Sequence, residues 1–461
     1  MLIVVQLSRE VFVANKEKPN IVFILTDQWR AQATGYAGDP NVKTPNLDAL
    51  AQKSIRLDTT VSTCPVCCPA RACLLTGQYP LTHGIFLNQI RLEPDTTTFA
   101  EVLKSHGYDT AYIGKWHLDG DTHEQNFIPP ERRLGFDFWR AHECSHNYYD
   151  SPYYDDSGIM KKWEGYDAFA QTDCAIEYLE GRQNEDDPFF LFVSYGPPHN
   201  PFHKVPEEYR ALYNEDEIVL RDNVPAECEA IARNDMWGYY AHITALDHCV
   251  GRVEEALERL GMTEGTILVF TSDHGEMNGS QGHDRKIRPW DESMLVPFLL
   301  RLPNGIGRQI DTPFGIPDMM PTLLDLVGAP VPEGVEGVSF AKHMLGEADA
   351  PLEASLFGCY VPFANYSYEH GGREYRGVRT SRYTYVRDLE GPWLLYDNEA
   401  DPYQLENLCG RPEVESVQTH LEGLLSDLLK EHNDAFENGQ ELLDRWGYEI
   451  VNPHAFRRKQ V

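Results

Sequence analysis

The chain has 461 residues, 42% of them hydrophobic and 11% aromatic, enough for one large domain with an appendage or for two to three ordinary domains. With 40 Lys and Arg against 72 Asp and Glu, its formal charge is −32, which repels nucleic acid and anionic membranes, so neither is expected as a partner. The same field repels an anionic substrate, so any anion site must bring its own positive groups.

No run approaches the roughly 18 apolar residues of a membrane span. Residues 1–15 hold one brief apolar stretch, Leu2 to Val5, broken by Gln6 and Arg9 and lacking a cleavage site. As written, the chain carries no export signal and is expected in the cytoplasm, or in the periplasm or outside the cell if a native leader was removed. Residues 21–26 (IVFILT) read as a buried strand ending at Asp27, and residues 45–53 as a helix behind a Thr44 cap. Four cysteines crowd between Cys64 and Cys73; their spacing fits no disulfide framework and leaves a zinc or reactive-thiol cluster open. Pro69 and the apolar run to Leu75 predict a helix starting just after Cys67, with Gly77 as its terminator.

Residues 98–106 read as an amphipathic helix, and residues 110–113 (TAYI) as a strand running into Gly114-Lys115-Trp116-His117. Residues 189–194 (FFLFVS) lead through Gly196-Pro197-Pro198 to His199. A long helix over 235–260 repeats apolar residues at Ile243, Leu246, Val250, Val253 and Leu260, and the strand 266–271 (TILVFT) ends at Ser272-Asp273-His274. Continuous apolar runs alternating with helices predict an α/β fold, a mostly parallel sheet sandwiched by helices. All four strand ends deliver Asp, His or Lys to the carboxyl edge, where such sheets bind ligands, so that edge is the expected active site. After about Ala350, segments 375–379, 383–387 and 393–396 are spaced like an antiparallel meander, and a helix is expected over 414–431. The chain thus divides into an N-terminal extension (1–18), a catalytic domain (19–350) and a smaller C-terminal α+β subdomain of antiparallel sheet plus helix (351–461).

The strongest local signal is Cys67-Cys68-Pro69-Ala70-Arg71-Ala72-Cys73-Leu74-Leu75-Thr76-Gly77. On its residues alone it also fits a buried cysteine before a helix, or part of a Cys64/Cys67/Cys68 metal cluster. It resembles the sulfatase signature Cys-x-Pro-x-Arg followed by four residues and Thr-Gly. The resemblance extends over nearly the whole chain, through Asn20 to Asp27, Thr44-Pro45-Asn46-Leu47-Asp48, Asp247, Val296-Pro297 and Leu395-Tyr396-Asp397 to Asp401-Pro402.

Similarity to the formylglycine-dependent type I sulfatases implies the alkaline-phosphatase-like α/β sandwich with a C-terminal subdomain. It implies that a formylglycine-generating maturation enzyme oxidises Cys67. One hydroxyl of the resulting hydrate attacks sulfur, and deprotonation of the other lets the hemiacetal collapse and expel sulfate. Arg71 would orient the hydrate, and the helix N-terminus would favour the anion. Asp27, Asp273 and His274 match the family's metal ligands beside the residue-67 hydrate, and Gln28 stands where a second Asp is common. Calcium is the expected ion, while His beside Gln also admits manganese or another transition metal. Lys115 and His117 match the family's sulfate-binding Lys and the base for the second hydroxyl. His199 matches the His facing the leaving oxygen, and Lys286 a second sulfate-binding Lys; His83 reads as structural. His283 and Arg285 are either substrate contacts or loop residues.

The expected reaction is sulfuric ester hydrolysis of a sulfated small molecule or carbohydrate, with residues 148–154 and 360–376 offering the aromatic and polar groups a sugar needs. Asp27-Gln28-Trp29-Arg30 keeps a phosphonate monoester or phosphodiester hydrolase as the alternative. A non-catalytic carbohydrate-binding relic would need a degraded nucleophile or ligand set.

Overall fold

The computed structural model describes residues 18–120, 127–452 and 455–459, so the N-terminal extension, apart from Lys18, lies outside the described residues. Among them no helix is long and apolar enough to cross a membrane.

The four expected strands form the middle of a ten-stranded sheet: β1 (Asn20–Asp27), β2 (Asp109–Lys115), β3 (Phe189–Pro198) and β4 (Thr266–Ser272). Across the sheet they run β4, β1, β3, β2, all parallel, and Phe138–His142 continues the parallel set beyond β2. Past β4, Phe298–Arg301 runs antiparallel and leads to Ile55–Leu57 and Arg308–Ile310. Two short antiparallel strands, Pro152–Tyr154 and Met160–Lys162, close the other edge. The chain lays strands to one side of β1 and then to the other, so the crevice at its carboxyl end is the ligand position of an open α/β sheet.

The sheet is covered on both faces, which is why its strands read as unbroken apolar runs. Alternation along β1 sends Ile21, Phe23 and Leu25 to one core and Val22 and Ile24 to the other. The first core runs through Phe190, Phe192, Ile267 and Val269 to helix α1 (Cys67–Thr76), with the Phe23 and Phe192 rings stacked at 4.8 Å. The second joins Leu191, Val193, Leu268 and Phe270 to Asp167–Gly181 and the long helix α2 (Glu229–Arg259).

Several boundaries moved for identifiable reasons. α2 begins at Glu229, ahead of the expected 235; its first two turns bury only Ala232, too small to signal an apolar face, and the one large apolar residue there, Ile231, is 71% exposed. α1 begins at Cys67 itself, and Gly77, at φ 64°, closes it by donating its N–H to the Cys73 carbonyl. β2 runs on to include Lys115, so that residue sits on a strand end and not in a loop.

The C-terminal appendage is a four-stranded antiparallel sheet of Ser355–Cys359, Tyr375–Arg379, Tyr383–Asp388 and Gly391–Asp397. Helix Glu415–Glu431 lies on it, packing Leu421, Leu425 and Leu429 against Leu356, Val378, Tyr385 and Leu395. Ser355–Cys359 escaped the sequence reading because its five residues are buried throughout and include a glycine, leaving no alternation to detect. The expected helix-sandwiched, mostly parallel sheet with a smaller antiparallel appendage is thus observed.

Candidate active site

Every strand of the parallel centre hands a polar group to the same edge. Asp27 ends β1, Lys115 ends β2, His199 follows β3, Asp273 and His274 follow β4, and Cys67 opens α1. Gly114, at φ 104°, sets the position of Lys115: a Cβ there would stand 2.1 Å from the Ser194 carbonyl oxygen, so only glycine lets β2 lie this close to β3.

The thiol of Cys67 lies 3.7 Å from Asp27 Oδ1, 3.3 Å from His274 Nε2 and 3.1 Å from Lys286 Nζ. In the expected mature protein this sulfur stands in for a formylglycine hydrate oxygen. Arg71 donates from Nε to Asp273 Oδ2 (3.0 Å), from Nη2 to Asp27 Oδ2 (3.3 Å), and from Nη1 to Ser194 Oγ (2.8 Å) and the Lys115 carbonyl (3.1 Å). It therefore acts as counter-ion to both carboxylates, with its donors turned toward them and the strand ends. Lys115 Nζ donates to Asp27 Oδ2 at 2.5 Å.

Asp27, Cys67, Asp273 and His274 place one ligand atom each within 4.8 Å of one another, and among the described residues this is the one such cluster. Cys64, Cys68 and Cys73 stay outside it as buried free thiols, so the four-cysteine run forms no metal cluster. Two carboxylates and an imidazole, with the Gln28 amide oxygen nearby, form a donor set that could hold a divalent ion. The ammonium of Lys286 already touches three of these donors, at 2.9 Å from Gln28 Oε1, 3.1 Å from His274 Nε2 and 3.1 Å from Cys67 Sγ. Gln28 is fixed in place: its Nε2 donates to Glu276 Oε2 at 2.5 Å, its N–H to Asp273 Oδ1 at 3.1 Å, and its φ is 70°.

Burial alone would push the Asp27 carboxyl up, but Lys115, His199, Lys286 and Arg71 outweigh it and hold the group well below the usual carboxylate range. Burial pulls Lys115 down, yet Asp27 raises it well above the ordinary amine value. His199 and His117 are both lowered, chiefly by burial. His274 is brought to about 4 by burial, against the pull of Asp273, and so stays unprotonated at neutral pH.

Cys67 lies at the floor of a cavity of about 290 Å³ lined by His117, His199, Lys286 and Arg285 from the expected set. His117 lines the same cavity as Cys67 and feels its thiol. His283 is not brought there; its ring packs 5.4 Å from Trp290. His83 is buried against Cys73, with Nε2 3.3 Å from the thiol, in keeping with a structural part.

The sequence reading missed His146, Asn88, Gln89 and Asn200 in this lining, and narrowed only loosely to Tyr366 and its loop neighbours. Asn200 directly follows His199, which is the one signal that could have found it. Residues 148–154 contribute nothing to the wall. Gln89, His117, Arg285, Ile287 and Ala364 all line the cavity with positive φ, and left-handed backbone at a β-branched residue such as Ile287 persists only where the surroundings enforce it.

A family model described as "Sulfatase" matches residues 19–329, and one described as "N-sulphoglucosamine sulphohydrolase, C-terminal" matches residues 279–431. The chain is similar to the ulvan-active sulfatase of Formosa agariphila, 44% identical over 443 residues covering 94% of this chain and 85% of that protein. It is also similar to the endo-4-O-sulfatase of Bacteroides thetaiotaomicron, 31% identical over 491 residues covering 94% of this chain and 96% of that one. A solved protein described under the metabolism of multiple glycosaminoglycans by Bacteroides thetaiotaomicron superposes with a TM-score of 0.84 at 30% identity, over 93% of this chain and 99% of that chain.

Proposed function

The chain belongs to the sulfatase family, the sulfuric ester hydrolases of the alkaline phosphatase superfamily, and on that premise we propose that it removes sulfate from a sulfated carbohydrate using Cys67 matured to formylglycine. The observation that carries this reading is the set of contacts at Cys67, which opens a helix, touches Asp27 and His274, and has Lys286 Nζ at 3.1 Å. The two relatives named for ulvan and for endo-4-O-sulfate action support the carbohydrate class.

The matured residue would supply one hydroxyl to attack sulfur as the bond from sulfur to the sugar oxygen breaks, and a second whose deprotonation would restore the aldehyde and break the C–O bond to sulfate. Asp27, Asp273, His274 and the Gln28 amide oxygen would hold a divalent ion, which would supply positive charge beside the nucleophile. Lys115 keeps Asp27 ionised and so fit to bind that ion. Lys286 offers its ammonium to the anionic ester, where charge in the transition state gains most from a fixed cation in a dry site. His117 lies against residue 67 and takes the proton of the second hydroxyl. His199, on the cavity wall, gives a proton from Nε2 to the departing sugar oxygen, a proton it carries only as the imidazolium that an anionic ester bound beside it favours.

One observation favours a second reading. The start Asp27-Gln28-Trp29-Arg30 resembles that of phosphonate monoester and phosphodiester hydrolases, whose substrates are tetrahedral monoanions like a sulfate ester. Turnover should be compared on sulfated oligosaccharides, an aryl sulfate, and phosphonate and phosphodiester esters of the same alcohol. Sulfate release from the oligosaccharides at the highest kcat/KM supports the proposal, and a preference for the phosphorus esters overturns it.

A further inference from the structure

His199 is held from three directions. Its Nδ1 is 2.7 Å from the Asn200 carbonyl oxygen, a contact in which Nδ1 carries the hydrogen. Its own carbonyl accepts a 2.5 Å bond from the Tyr148 hydroxyl. The face of its ring is covered by His146, with centroids 4.2 Å apart and planes 3° from parallel.

Both imidazoles line the cavity over Cys67, and the segment bearing His146 is anchored beside the stack. Tyr148 is fully buried, and its carbonyl accepts from the Asp167 N–H at 2.8 Å where helix Asp167–Gly181 begins. Asn147 Oδ1 accepts from Lys204 Nζ at 3.1 Å, and His146 Nε2 lies 3.6 Å from Cys144 Sγ. The Asn200 bond fixes one edge of the His199 ring but leaves it free to tilt about that edge. A parallel ring at van der Waals distance removes the tilt.

We propose that His146 is a positioning residue for His199, a flat platform that holds the imidazole plane so that Nε2 meets the leaving-group oxygen. This rests on the reading of His199 as the proton donor to that oxygen. Misplacing a catalytic group by about 1 Å costs on the order of 100-fold in a step that needs it. A step that does not need the proton is spared.

The test is a series of substituted phenyl sulfates whose leaving groups rise in basicity, from 4-nitrophenyl sulfate to phenyl sulfate. With His146→Ala, kcat for phenyl sulfate should fall roughly 10- to 100-fold, a share of what general acid catalysis contributes, and kcat for 4-nitrophenyl sulfate about 3-fold or less. His146→Phe, which keeps a flat ring and no titratable nitrogen, should return phenyl sulfate to within about 3-fold of the unsubstituted protein. Each preparation is judged by its ratio of the two substrates, so the amount of correctly folded enzyme cancels. Turnover by the unsubstituted protein tests the reading of the site, and the change in ratio on substitution tests the stack. An equal loss on both substrates, or a His146→Phe variant as selective in its loss as His146→Ala, overturns the proposal.

Discussion

Two groups of buried charge, one beneath the C-terminal sheet and one at the carboxyl edge of the main sheet, differ in how fully the protein answers them. In the first, Arg376 grips Asp434 through Nε and Nη2, gives Nη1 to the Cys359 and Tyr375 carbonyls, and lays its guanidinium 3.8 Å over the Tyr360 ring. One cation meets one anion, and the pair is closed. In the second, buried Arg71 and Lys115 meet Asp27 and Asp273, while half-buried Lys286 adds a third cation whose contacts are Gln28, Cys67 and His274, and a bound divalent ion would add to the excess. Paired buried charge marks architecture, while buried charge with a surplus of one sign marks a place kept for something of the other sign.

Substitutions can break or sharpen this contrast. The largest effect should come from Cys67→Ala, which removes the nucleophile and should lower sulfate release by about 10⁴-fold or more. Peptide mass spectrometry of active protein should find the aldehyde at 67 and ordinary thiols at Cys64, Cys68 and Cys73. Chelation should take turnover to background, and calcium or manganese should restore it, as measured by sulfate release before and after metal return. Lys286→Met should cost about 10²- to 10³-fold in kcat/KM, since it deletes one fixed cation, yet move the thermal midpoint little because Asp27 keeps its direct salt bridges to Arg71 and Lys115.

The closed pair should behave in the opposite way. Arg376→Ala strands Asp434 and should cost about 3–5 kcal/mol in denaturant unfolding, with kcat per folded molecule unchanged. Pairing Arg376→Met with Asp434→Leu should recover most of that loss. A last effect concerns a carboxyl answered by no cation: burial raises Asp167 to about 7. Its unfolded counterpart ionises near 3.8, so the folded state holds the proton more tightly between those values. The resulting stability is present below about pH 4, is lost as pH rises to about 7, and stays lost above it. Asp167→Asn should flatten the unfolding free energy across that window, by at most about 4 kcal/mol on a unit-for-unit conversion.

The sequence carried the parallel centre well, because a strand buried on both faces leaves a continuous apolar run, and each run here stops at a polar residue that matters. It carried the contents of the site nearly as well: Asp27, Cys67, Asp273, His274 and Lys286 do meet. It could not carry what depends on backbone turned the wrong way for its side chain. Arg285 and Ile287 both take positive φ, on either side of Lys286, and no propensity rule would place a β-branched residue there. Nor could spacing show that His146, on the segment after Phe138–His142, would come to lie on His199 after β3, since that contact exists only once the sheet has set the two strands in order.

The surplus of positive charge at the carboxyl edge is enclosed by a chain whose overall charge is −32. A sulfated polymer approaching from bulk therefore feels repulsion at long range and attraction only at the last few ångströms. Added salt shortens the reach of the outer field, to about 10 Å at 0.1 M, while the half-buried ammonium of Lys286 in the cavity wall is screened less. Capture of a highly sulfated chain should thus quicken as ionic strength rises from the millimolar range, the reverse of what attractive steering gives, and a short neutral-tailed sulfate ester should respond much less.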